Sequence, residues 1–129
     1  MKTVLFVCVH NAARSQMAEA FFNVMAGGRH VGISAGSQPA ERVNPRAVEA
    51  MGELRIDISG ARPKRLTADM IERADLVVTM GCGENVCPIV PKEVIVWELE
   101  DPSGKPIEEV LSIRDQIMKL VRDLVDTLD

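Results

Sequence analysis

The sequence predicts an α/β fold: a four-stranded parallel sheet with helices on both faces. Two observations carry this. Val4-Leu5-Phe6-Val7 is a continuous apolar run, the pattern of a strand buried on both sides. Further strand-like runs at 30–35, 76–80 and 94–97 alternate with segments of helical period, which is the order of a parallel sheet joined by helical crossovers.

The elements follow in chain order. After the first strand, Met17, Ala18, Phe21, Phe22 and Met25 fall on one helical face, with Gln16, Glu19 and Asn23 on the other. Gly27-Gly28 stops that helix, and His30 to Ala35 reads as a second strand ending at Gly36. Asn44-Pro45 is a cap followed by proline at the first helical position, so a short helix runs to Gly52 with Ala47, Val48 and Met51 inward. Thr67 caps another short helix reaching Ala74. Leu76 to Met80 and Val94 to Trp97 supply the third and fourth strands. Pro106 opens a long helix with Val110, Ile113, Ile117, Leu120, Val121, Leu124 and Leu128 in one stripe.

With 129 residues, 47% of them hydrophobic, the chain is expected to form one domain, 1–129, around one core. A net charge of −4 without basic runs argues against a nucleic-acid surface. No apolar run approaches the ~20 residues needed to span a membrane, and the opening residues lack a signal-peptide pattern. A cytoplasmic monomer is the expectation. Three cysteines suit reactive thiols in a reducing compartment better than a disulfide framework.

Parallel sheets bind ligands beyond the carboxyl ends of their strands. That rule gathers Cys8, Cys82 and Asp101 on one side of the molecule. The segment from Cys8 to Arg14 joins a strand to a helix, and a helix N-terminus with its free N–H groups suits a tetrahedral oxyanion. Val9, His10, Asn11, Ala12, Ala13, Arg14 and Ser15 form the predicted cradle. It is no nucleotide-binding P-loop, since it has no glycine and no Lys followed by Ser or Thr. Beside a guanidinium and a helix dipole, Cys8 is predicted to be a thiolate nucleophile. Arg14 can grip two anion oxygens in a fork, and the Ser15 hydroxyl can donate to the sulfur.

CVHNAARSQMAEA resembles the anion loop of the low-molecular-weight protein tyrosine phosphatase superfamily, whose fold is flavodoxin-like, and is most similar to its arsenate reductase branch. The resemblance runs from Cys8 to Asp101-Pro102. It implies arsenate or phosphate as the oxyanion, no tightly bound cofactor, no metal, and an external thiol reductant, either thioredoxin or a low-molecular-weight thiol.

Cys82 and Cys87 follow the third strand. A zinc site lacks enough ligands of suitable spacing, and a structural disulfide is unusual in a reducing compartment. The third reading is a thiol relay. In the thioredoxin-coupled arsenate reductases that the chain resembles, the loop cysteine attacks arsenate, a second cysteine expels arsenite, and a third carries the disulfide to the surface. Cys8, Cys82 and Cys87 match in that order, although the last two are closer together here than in the best-known members.

The resemblance also picks Asp101 as the general acid from among Glu98, Glu100 and Asp101. Asn11 is expected to shape the loop, because Asn tolerates left-handed backbone. His10 stands where many relatives have glycine, and Ala13 where several have another cysteine. Some relatives bind potassium through Asn, Glu, Ser and Asp. Asn11, Glu19 and Ser34 match, but Lys64 stands in place of the Asp, so its ammonium is expected to replace the cation.

Two rivals remain at this stage. One is a tyrosine phosphatase using Cys8, Arg14 and Asp101 with water as second nucleophile, though the chain has no tyrosine and few aromatic residues to hold a phenyl ring. The other is a non-catalytic module that senses oxyanion or arsenite. The relay makes a distinctive demand. Were the reduced 82–87 segment helical, its two cysteines would have Cα atoms about 8–9 Å apart, beyond the ~7 Å limit for a disulfide. Hydrogen exchange at amides 81–90 is therefore expected to differ between reduced and oxidised protein; matching patterns would count against the relay.

Overall fold

The computed structural model describes residues 1–81 and 94–129. Cys82 and Cys87, and the segment between them, lie outside the described residues. The described chain contains four strands and four helices: β1 (Thr3–Cys8), α1 (Arg14–Ala26), β2 (Val31–Gly36), α2 (Pro45–Gly52), α3 (Ala68–Arg73), β3 (Leu76–Met80), β4 (Val94–Trp97) and α4 (Ile107–Leu128). All strand pairs are parallel, in the order β2-β1-β3-β4.

Both faces of the sheet are covered, as the continuous apolar run in β1 requires. Val4, Phe6 and Cys8 point to one face and pack with Met17, Phe21 and Phe22 of α1 and with Ile113, Ile117 and Val121 of α4. Phe6 meets Phe22 edge-on with ring centroids 5.6 Å apart and lies 5.9 Å from Trp97. Leu5 and Val7 point to the other face, with Ala35, Val77 and Ala74, over which Leu66, Met70 and Ile71 pack. The two covers are unequal, because α3 buries no residue completely.

Caps end the helices where polar side chains allow. Asn44 accepts from the Arg46 amide at 2.9 Å with Pro45 at the first turn, and Thr67 accepts from the Met70 amide at 3.2 Å. The α4 stripe includes Arg114, which periodicity alone places among apolar neighbours. It is 7% exposed because its guanidinium donates to the Ala50 carbonyl at the end of α2 and to Glu53 and Asp115. Charge with that many partners is buried without being orphaned. No helix among the described residues is long and apolar enough to cross a membrane.

The chain leaves β1 for β2 on one side and later returns to β3 on the other. That reversal opens a crevice at the carboxyl ends of β1 and β3, where open parallel sheets seat their ligands. The crevice receives Cys8, the last residue of β1, and Gly81, the residue after β3.

Candidate active site

The loop between β1 and α1 is held from outside by its carbonyls. Cys8, Val9, His10 and Ala12 accept from the amides of Ser37, Gln38, Ala40 and Asn44 at 3.3, 2.8, 3.0 and 2.8 Å. With its carbonyls drawn outward, the loop turns its N–H groups toward the concave side, which is the polarity an anion needs. Gly36 permits this packing, since a Cβ there would lie 2.7 Å from the Val9 carbonyl oxygen and 2.9 Å from the Asn11 nitrogen.

Asn11 takes the left-handed conformation, φ 50°, and is fully buried. Its carboxamide explains both facts. Nδ2 donates to Ser15 Oγ at 2.6 Å, while Oδ1 accepts from Gln16 Nε2 at 3.0 Å and from the Lys64 amide at 2.8 Å. The Asn11 backbone N–H donates to Cys8 Sγ at 3.3 Å. Ser15 Oγ stands 2.8 Å from the same sulfur. That oxygen accepts from Asn11 and keeps its own proton free to point at the sulfur, so the Asn11 N–H and the Ser15 hydroxyl are the two groups placed to donate to Cys8.

Arg14 begins α1 and is 4% exposed. Its Nη1 donates to the Leu99 carbonyl at 3.3 Å, and its Nη2 lies 3.9 Å from Asp101 Oδ2. Asp101 is 46% exposed, with Oδ1 taken by the Ser103 amide at 2.9 Å in a turn through Pro102. Cys8, Arg14 and Asp101 line one cleft of about 460 Å³, whose far wall is Ala40, Arg42 and Val43. No Phe, Tyr or Trp side chain is among its described lining residues. His10 is exposed, and its Nδ1 bonds to the Gln38 carbonyl at 3.2 Å. Val9, Ala12 and Ala13 contribute backbone to the loop.

Sequence periodicity puts Gln16 on the solvent face of α1, and this is a correction: it is 1% exposed. Segment 62–66 folds over it, and its Nε2 donates to the Arg62 carbonyl at 3.0 Å as well as to Asn11. Leu99 and Gly81 meet Arg14 from far along the chain, so nothing local in the sequence marks either of them for that contact. Glu19, Ser34 and Lys64 do meet. Ser34 Oγ donates to Glu19 Oε1 at 3.2 Å, and Lys64 Nζ stands 3.9 Å from that oxygen. Burial pushes the Glu19 carboxyl above its ordinary range, while Lys64 and Ser34 pull the other way. Among the described residues no group of three or more His, Cys, Asp or Glu could hold a metal ion.

Comparison with known proteins adds a family. A family model described as low molecular weight phosphotyrosine protein phosphatase matches residues 3–129. An arsenate reductase of Bacillus cereus (strain AH187) is 39% identical over 129 residues, covering 98% of this chain and 96% of that one. A thioredoxin-dependent arsenate reductase of Corynebacterium glutamicum is 41% identical with a TM-score of 0.82 over 98% of this chain; this chain spans 60% of that protein's length. An arginine phosphatase from Geobacillus stearothermophilus is 26% identical with a TM-score of 0.89, over 99% of this chain and 93% of that one.

Lys64 Nζ stands 3.9 Å from Glu19 Oε1, and its ammonium is expected to take the place of a monovalent cation there. Activity is therefore expected to agree within about twofold in potassium and sodium salts at equal ionic strength, the screening being the same. Activation by potassium alone would show that Lys64 does not serve this role.

Proposed function

The chain belongs to the low molecular weight phosphotyrosine protein phosphatase family, and we propose that it works there as an arsenate reductase, an oxidoreductase that turns arsenate into arsenite with thiol electrons. One observation carries the reading: a chain with a cysteine in an oxyanion cradle also holds Cys82 and Cys87 just beyond β3, thiols that hydrolysis does not need. Relatives alike over nearly their whole length, 39% identical, bear the name arsenate reductase.

Arsenate enters the loop with its oxygens toward the N–H groups and Arg14. The Cys8 thiolate attacks arsenic, and an oxygen departs as water after Asp101 delivers a proton, leaving an S–As(V) adduct. The Cys82 thiolate then attacks Cys8 Sγ. A Cys8–Cys82 disulfide forms as the S–As bond breaks, and its electron pair goes to arsenic, which leaves as arsenite, As(III). Cys87 attacks Cys82, moving the disulfide to 82–87 and freeing Cys8. An external thiol reductant restores the dithiol. We assign that role to thioredoxin, by likeness to the thioredoxin-dependent relative; a low-molecular-weight thiol is the alternative.

Phosphate has the same charge and shape as arsenate, and the likeness to an arginine phosphatase favours some phosphatase activity. A cleft with no Phe, Tyr or Trp among its described lining residues gives a phenyl ring little to stack on, so aryl phosphate turnover is expected to be weak.

Pre-reduced protein given arsenate without reductant is expected to lose two thiols per arsenite formed. The disulfide should map to 82–87 in wild type but not in Cys87→Ser, and Cys82→Ser should yield no arsenite. Absence of arsenite together with steady phosphate release from an aryl phosphate would replace this reading with the phosphatase one. Asp101→Asn is expected to slow turnover by about 10²-fold, the scale of general-acid catalysis, with an unchanged melting temperature. Undiminished turnover would remove Asp101 from its role.

A further inference from the structure

We infer that Gly81 is a positioning residue for Arg14, and that its missing side chain is what allows the guanidinium to lie in the cradle. The inference rests on the reading of Arg14 as the group that grips the anion. Gly81 follows β3 directly, with φ +71°. A Cβ built on it would overlap Arg14 Nη1, lie 3.1 Å from Arg14 Cζ and stand 3.2 Å from the Leu99 carbonyl oxygen. That oxygen accepts the hydrogen bond from Nη1 at 3.3 Å. A methyl group at residue 81 therefore enters the space of the bond that anchors the guanidinium.

Of the groups it would meet, the guanidinium is the far end of a flexible side chain, whereas Leu99 presents backbone. Arg14 is the part that yields. With Asp101 on one side and Leu99 on the other, and only 4% of its surface exposed, a displaced Arg14 leaves the cradle instead of shifting within it. The fold keeps its core, and the anion loses its fork. Gly81 is also the residue bonded to Cys82 in the chain, so the seat of the anion-gripping arginine and the second thiol share one stretch of backbone.

The test uses inorganic phosphate as the probe and reads protection of Cys8 from alkylation by iodoacetamide, mapped by mass spectrometry, in the reduced full chain. Gly81→Ala adds the Cβ. Gly81→Asn adds it as well, but on a residue that tolerates positive φ. Each is made with Arg14 and with Arg14→Lys, which has no Nη1 for the Cβ to overlap. The half-protecting phosphate concentration is expected to rise at least fivefold for both glycine variants when Arg14 is present and less than twofold when Lys replaces it. Unchanged protection in the Arg14 chain, or an equal loss in both backgrounds, would overturn the inference. So would failure of both variants to fold, since the glycine would then serve the backbone. A wild type that phosphate protects but that makes no arsenite would sink the arsenate reading and leave this one standing. Failure of phosphate to protect the wild type would sink the anion cradle itself.

Discussion

The buried carboxamide of Asn11 is the interaction on which the rest of the site depends. It ties the loop to α1 through Ser15 and Gln16, and to the segment beside β2 through the Lys64 amide, while its own backbone N–H reaches the sulfur. Each bond contributes only about 0.5–1.5 kcal/mol net, but a buried donor or acceptor left without a partner costs about 1–3 kcal/mol. The asymmetry keeps a non-glycine residue at φ 50° and makes the loop a preformed cradle. A loop already shaped for an anion needs no reorganisation when one arrives.

Sheet order supplies the second constraint. Because β1 lies between β2 and β3, Cys8 emerges at the point where the chain's direction of winding reverses. The loop after β1 is clamped on one side by residues following β2, which take its carbonyls, and Arg14 is met on the other by Gly81 after β3 and by Leu99 after β4. Four strand ends thus build a single site. The apolar faces of β1 and the aromatic contacts of Phe6 give those ends a rigid base.

Lys64 illustrates how one surface residue alters the electrostatics of such a loop. Glu19 is half-buried, and burial alone would favour its neutral form. An ammonium at 3.9 Å and the Ser34 hydroxyl at 3.2 Å offset only part of that effect, and the carboxyl stays above its ordinary range. Lys64 thus faces the carboxyl with its side chain while its amide fixes Asn11.

What could be read from the sequence was local. Helix periods, the Asn44-Pro45 and Thr67 caps, the apolar strands, and the strand-to-helix turn bearing Cys8, Arg14 and Ser15 depend on residues a few positions apart, where side-chain type and spacing dictate conformation. Asp101 could be chosen among neighbouring acids only by the proline that follows it and by family resemblance, since a loop Asp-Pro by itself marks no more than a turn. Tertiary structure alone decided the strand order, the burial of Gln16 under segment 62–66, the Leu99 carbonyl as anchor of Arg14, and the close approach of Gly81. These contacts join residues tens of positions apart, and a polar side chain on a helix surface carries no local mark of the distant backbone that will cover it. The sequence by itself determined which elements form and where Cys8 meets the loop that opens α1; packing determined which remote groups hold that loop and its arginine in place, because only the folded chain brings their donors and acceptors within hydrogen-bonding distance.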